Sequence, residues 1–352
     1  MPDEQRPSKR TRVDEGASCA GPSSTSSASD SLKRDPDLWF EDGNIILAAR
    51  DVAFRVYRGL LVKQSTVFAD MFATGNPAAD ENLDGCPVVR LPDAPSDLKH
   101  LLLFLVPSSG RTLLDRKRPI AFPALFAVVR LAHKYNIEDL LDQALHILKL
   151  FYTTSFREFE HKAYSHVNFV PPALAHHVGA VNLARLTNTP SILPLALYHC
   201  CGLSGRVMDG WTRETGETEY LSTQDLRAVI TGRDGLTQKG FTMLLNIFDD
   251  DPAPGCSQRA LCGISLNGLI RTVGWEGGGK YDVLDSWEPV IRRFAKELDM
   301  CKQCRNALLK REVMERREVW SNLPFMFELS KVECQWNTPG YGKSSSDIDS
   351  DY

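Results

Sequence analysis

The chain has 352 residues, with 41 basic and 45 acidic side chains for a net charge of -4. That length sets an expectation of two domains and is enough to bury a core without disulfides or metals. The slight acidic balance speaks against a general binder of nucleic acid or anionic membranes, which requires a basic surplus. The longest apolar runs, such as LLLFLV at 101–106, fall far short of the ~20 residues of a membrane helix. MPDEQRPSKRTRVDEG at the start has no apolar stretch behind it, so no secretory signal is read there. The expected setting is intracellular, cytoplasmic and/or nuclear. Thiols or a metal site are then expected of the nine cysteines rather than disulfides.

Residues 1–36 hold few large apolar side chains, and seven serines fall between Ser18 and Ser31. Such a stretch reads as disordered, since it buries too little surface to offset its ordering entropy. Lys9-Arg10-Thr11-Arg12 within it reads either as a solvated run or as a small nuclear-import cluster. At the other end, 337–352 reads as a polar, acidic tail in which Ser344 and Ser346 each precede an Asp by three residues.

The first folded region spans 37–152. Val52, Phe54 and Val56 alternate with Ala53, Arg55 and Tyr57, which predicts a strand in a hairpin with the segment around Ile45 and Leu47. GLLVKQ then leads to Ser65, placed to cap a short helix with Val67, Phe68, Met71 and Phe72 on one side. CPVVRL is a strand stopped by Pro92, and Ser96 is placed to cap a helix that Pro107 ends. Two strongly periodic helices follow, about 122–135 and 137–152. The second puts Ile137, Leu140, Leu141, Ala144, Leu145 and Leu148 on one face. With only Asn136 between them, they form a tight helical hairpin.

From 153 to 336 the pattern is mostly helical. Helices are predicted over 173–186, from Ser191 with Pro194 in the first turn, from Ser222 with Asp225 completing a capping box, and across TQKGFTMLLNIF. Another follows in SQRALCGISLNGLIRTVGW. One long helix is then predicted over 289–320, with Glu312 and Arg316 as an i, i+4 pair on its exposed side.

The cysteines are the best chemical constellation. Cys301 and Cys304 are spaced CxxC inside the long predicted helix, which puts both on one face. Cys256 and Cys262 come from a loop and the helix after it. Four thiolates of this kind can hold zinc tetrahedrally, as a structural site with no open position. The competing reading is four unrelated small buried residues. Cys200, Cys201 and Cys334 are alternative ligands. Gly274, Gly279 and Lys280 spell G-x-x-x-x-G-K, but Tyr281 stands where a P-loop needs Ser or Thr, so the stretch reads as a connector. No metalloprotease, nucleophile-elbow or acidic metal-loop motif occurs, which leaves an enzyme reading without positive support.

FRVYRGLLVKQSTVFADMF, VVRLPDAPSDLKHLLLFLV and FAVVRLAHKYNIEDLLDQAL, in that order, resemble a BTB/POZ domain over 39–152. The whole arrangement is similar to the BTB-domain proteins of mushroom-type fungi. The fold this implies is α+β: a small sheet with helices and a helical hairpin, followed by a mostly α-helical region ending in a long helix. The function it implies is protein binding as an adaptor, in ubiquitin-ligase assembly or transcriptional regulation, with neither nucleic acid nor membrane as partner. Candidate partners are a second copy, a heterologous BTB protein or a cullin scaffold. Cullin-recruiting relatives carry a large apolar residue two before an acid. The nearest fit here is Ala79 ahead of Glu81, and Ala buries far less surface than Met or Phe. The alternative from another class is an enzyme with a zinc or phosphate site in the helical half.

Overall fold

In a computed structural model, residues 32–74, 82–106, 113, 119–162, 165, 169–277 and 282–337 are described, apart from the side chains of 270 and 272–277. The basic cluster at 9–12, Ala79 and Glu81, Gly279 and Lys280, and Ser344 and Ser346 all lie outside the described residues.

The chain is mixed α+β. Its first region is built on strands β1 (Lys33–Trp39), β2 (Ile45–Ala49), β3 (Val52–Val56), β4 (Asn82–Leu83) and β5 (Cys86–Leu91). Their order in the sheet is β1-β3-β2-β5-β4. β2 and β3 form the expected antiparallel hairpin, while β2–β5 and β1–β3 are parallel. β2 shows no alternation because both of its faces are covered. Ile45, Leu47 and Ala49 enter the main core, and Ile46 and Ala48 join Ala53, Cys86 and Val88 in a smaller cluster on the reverse face.

β1 was not legible in the sequence and begins at Lys33, inside the stretch read as a tail. Its local signal is polar, but the Asp35 carboxylate accepts the N–H groups of Asp37 and Leu38 at 3.0 and 3.1 Å. This side-chain turn accommodates an irregular register and delivers Leu38 to the core.

Helices α1 (Arg58–Gln64) and α2 (Thr66–Thr74) meet at Ser65, whose Oγ accepts the Phe68 N–H at 3.0 Å, as expected of a cap. Helix α3 (Pro95–Leu105) starts one residue before the predicted Ser96 cap, because Pro95 has the φ of a first-turn residue and no N–H to satisfy. The helical hairpin is α4 (Phe122–Lys134) and α5 (Glu138–Phe151). Asn136 takes φ 49° between them, and Ile137 N–H returns to Ala132 C=O at 2.9 Å, closing a Schellman cap.

The second region contains α6 (Phe156–Glu160), α7 (His176–Leu186), α8 (Leu193–Cys200), α9 (Thr223–Ile247), α10 (Arg259–Gly277), α11 (Glu288–Glu297) and α12 (Lys302–Met326), with a short hairpin of β6 (Trp211–Thr212) and β7 (Thr218–Glu219). Ser191 lies in a 3-10 turn, Pro190–Ile192, rather than capping α8. Ser222 does cap α9 and bonds Asp225, as predicted. The two helices expected over 222–248 are one, continuous through Gly232 and Gly235. Gly232 is required where it is: a Cβ there would sit 2.3 Å from the Phe327 ring.

The predicted long helix is broken. α11 ends at Glu297 with Leu298 as its C-cap, Asp299 takes φ 46°, and Met300 N–H bonds Ala295 C=O at 2.9 Å. This second Schellman cap turns the chain before α12 starts. Glu312 and Arg316 are also not an exposed pair. They are 1% and 5% exposed, joined Nε to Oε1 at 2.7 Å, with Glu160 on the other side of the guanidinium at 2.7 Å.

The main apolar core runs through both regions. At the seam, the Trp211 ring meets Phe126 edge-on at 5.0 Å, and Gly179 leaves the space the ring fills. Beside it, Arg213 pairs with the buried Asp97 of α3. Among the described residues no helix is long and apolar enough to cross a membrane.

Candidate metal centre

Three local structures bring Cys256, Cys262, Cys301 and Cys304 together. The first is a turn after α9. Ala253-Pro254-Gly255-Cys256 closes with the Cys256 N–H on Ala253 C=O at 3.0 Å, and Gly255 takes φ 79°. Pro at the second position and Gly at the third suit a type II turn. The second is the start of α10, where Cys262 falls in the first turns on the stripe that also buries Leu266 and Leu269. The third is the break between α11 and α12. Cys301 is not inside a helix, as the sequence pattern suggested, but is the N-cap of α12, with Cys304 in the first turn.

The four sulfurs all lie within 4.8 Å of one another, and Cys256 Sγ is 3.6 Å from Cys301 Sγ. Zinc with Zn–S of ~2.3 Å demands tetrahedron edges of about 3.8 Å, so small movements of the loops close the site around an ion. Backbone groups are already aimed at three of the sulfurs. Gln258 N–H points to Cys256 at 3.4 Å, Cys301 N–H to Cys262 at 3.5 Å and Cys304 N–H to Cys301 at 3.5 Å. Such donors stabilise thiolates and orient them as ligands. The α12 N-terminus adds its positive dipole end.

The acidities follow from this arrangement. Burial raises the Cys301 thiol, but the Cys304 N–H and the neighbouring thiols donate to its sulfur and bring it down to about 6. Burial pushes Cys304 up to about 12 and also raises Cys262. A bound divalent ion makes all four sulfurs thiolates. The donor set therefore fits a thiophilic, tetrahedral metal, and four protein ligands fill its coordination.

The alternative ligands are elsewhere. Cys200 and Cys201 are buried at the end of α8, where the Cys201 thiol donates to the Leu197 carbonyl at 3.4 Å, and Cys334 is buried apart. Of the G-x-x-x-x-G-K stretch, Gly274 falls within α10, near its C-terminal end. That is the wrong end of a helix for cradling phosphate.

A second polar cluster, around His177 and His199, escaped sequence reasoning. His177 and His199 stack at 4.4 Å, and His177 Nδ1 is 2.7 Å from the Tyr152 hydroxyl. Burial lowers both imidazoles, His199 to about 4.

Comparison of the chain with models of known protein families and with curated proteins returns no match.

Proposed function

We propose that the chain is a protein-interaction adaptor: a BTB/POZ-like domain joined to a helical region that a structural zinc ion staples. The reading assigns it to ubiquitin-ligase assembly or transcriptional control inside the cell, acting through self-association or a heterologous partner. The observation that carries it is the order of elements from β1 to α5. A small mixed sheet, a helix pair, a further strand and helix, and a helical hairpin follow one another as the BTB resemblance implies.

The zinc part rests on Cys256, Cys262, Cys301 and Cys304 converging from three segments. Bound there, zinc would supply cross-linking rather than chemistry on a substrate, because a catalytic zinc keeps a coordination position open. A reducing compartment suits such a site.

Native mass spectrometry of the purified full-length protein tests both parts. The expected species is a dimer carrying one zinc per chain, with Cys301→Ser/Cys304→Ser removing the metal. A metal-free monomer overturns both self-association and the zinc staple.

A further inference from the structure

The four cysteines are not equivalent. Cys262, Cys301 and Cys304 are buried, whereas Cys256 is half-buried. It closes the turn that follows Pro252, one of the residues lining an open groove with Arg259, Gly263 and Ile264. Its sulfur lies 3.6 Å from that of Cys301, 45 residues along the chain.

The two sulfurs also differ in how firmly they are held. Cys301 is fixed between the Schellman cap of α11 and the first turn of α12, with its own N–H on Cys262 and its sulfur under the Cys304 N–H. Cys256 hangs on a four-residue turn whose closing bond is the Cys256 N–H to Ala253. A disulfide needs S–S of about 2.05 Å, and the mobile partner in that approach is the turn.

We propose that Cys256 and Cys301 form a peroxide-sensitive latch on the metal centre, whose closure as a disulfide expels the metal. This rests on the zinc reading given above. The Cys256 thiolate attacks one oxygen of a hydroperoxide; an S–O bond forms, the O–O bond breaks, and the departing hydroxide takes a proton to become water. The Cys301 thiolate then attacks Cys256 Sγ; the S–S bond forms, the S–O bond breaks, and the second hydroxide leaves as water. Two thiolates give up two electrons, and the peroxide accepts them with two protons.

Zinc left with Cys262 and Cys304 alone has lost half its ligands. The turn stays tied to α12 through the disulfide, but α10 loses its sulfur tether. Besides the Cys301 N–H on Cys262, polar ties of α10 to other segments lie on the surface, among them Arg259 to Asp251 at 3.1 Å, Ser265 to the Leu298 carbonyl at 3.2 Å and Asn267 to Asp250 at 3.4 Å. Oxidation therefore loosens α10 selectively.

The test uses full-length protein first shown by native mass spectrometry to carry zinc. It is treated with a few equivalents of hydrogen peroxide in the presence of a chromogenic zinc indicator, then mapped for disulfides by peptide mass spectrometry. The expected result is release of one zinc per chain, a Cys256–Cys301 linkage, and full reversal by dithiothreitol with zinc. Cys256→His preserves four-fold ligation as a Cys3His site but removes the disulfide, so zinc release should slow at least tenfold. Amide exchange should rise in the first turns of α10 after peroxide, while a chelator should loosen the 253–256 turn as well.

Wild-type protein that binds no zinc overturns the metal reading and this inference with it. Zinc-loaded protein that keeps its metal under peroxide, or loses it with a Cys301–Cys304 linkage or sulfinic acids instead, overturns the latch alone. The wild-type disulfide map decides the matter even where the histidine variant does not fold.

Discussion

The two regions of the molecule are held together differently. From β1 to α5 the interior is almost wholly apolar: α4 buries Phe122, Leu125, Phe126, Val128 and Val129, and α5 buries Leu140, Ala144, Ile147 and Leu148. Its buried carboxylates are Asp35 in β1 and Asp93 and Asp97 around the start of α3; they pair with Lys99, Lys134 and Arg130, and Asp97 also meets the buried Arg213 across the seam. From α6 to α12 the same apolar core continues, and buried polar contacts and the sulfur cluster tie separate segments across it. Arg316 ties α12 to α6 through Glu160, and Glu312 accepts the Ser286 hydroxyl and the Trp287 N–H, each at 3.0 Å. Apolar cores tolerate repacking at small cost, whereas a buried ion network fails when one member is lost. The second region is thus the more specifically cross-linked and the more vulnerable to single changes.

The largest effect expected from this contrast is at Glu312. Its removal in Glu312→Ala leaves the buried Arg316 guanidinium with the Glu160 carboxylate and the Leu284 carbonyl and strands two donors. The expected cost is about 3–5 kcal/mol, read as a drop in urea midpoint with an unchanged slope. A loss comparable to that of an exposed pair, below about 1 kcal/mol, would show that the network carries little of the packing between α6 and α12.

The same contrast explains which parts of the fold were legible. β3, the α4–α5 hairpin and the Ser65 and Ser222 caps were readable because period-two and period-3.6 apolar patterns and local capping chemistry act within a few residues. β1 was not, because its polar sequence is held as a strand by pairing with β3 and by the Asp35 turn. The break at 298–301 was not, because Asp299 takes the left-handed conformation without a glycine to announce it. Glu312 and Arg316 looked like a surface pair because sequence spacing reports a helix face but not whether that face is covered. The cysteine quartet was legible in its membership, since thiols are few, but its geometry was not. Placing Cys301 at an N-cap required knowing where α12 begins.

A smaller effect is expected at Gly232, where α9 and the residues after α12 touch. Gly232→Ala would place a methyl group against the Phe327 ring and near the Met326 carbonyl at 3.1 Å. The ring is buried among core side chains and cannot swing away freely, so strain of about 1–3 kcal/mol is expected, despite Ala's better helix propensity. Gly235, with open space around it, is the control. Gly235→Ala should stabilise the protein slightly, by about 0.5–1 kcal/mol. Equal thermal shifts for the two variants would contradict the close packing of α9 on Phe327.

The smallest effect at neutral pH concerns the join between the regions, where α5, α7 and α8 meet around His177 and His199. Both imidazoles are held neutral by burial; His177 also faces Tyr152 and His176, and Cys200 lies beside Tyr152. The folded-state values lie below the unfolded value of about 6.5, so the unfolded chain binds more protons in the interval between them. Stability should therefore be independent of these groups above pH 7 and fall as pH drops from about 6.5 towards the His199 value of about 4. His199→Phe keeps a ring against His177 and removes one titrating group. Urea midpoints at pH 7.5 and pH 5 should converge in this variant relative to wild type. An unchanged difference between the two pH values would mean that acid sensitivity arises at the carboxylates, and that the stacked imidazoles contribute packing without charge.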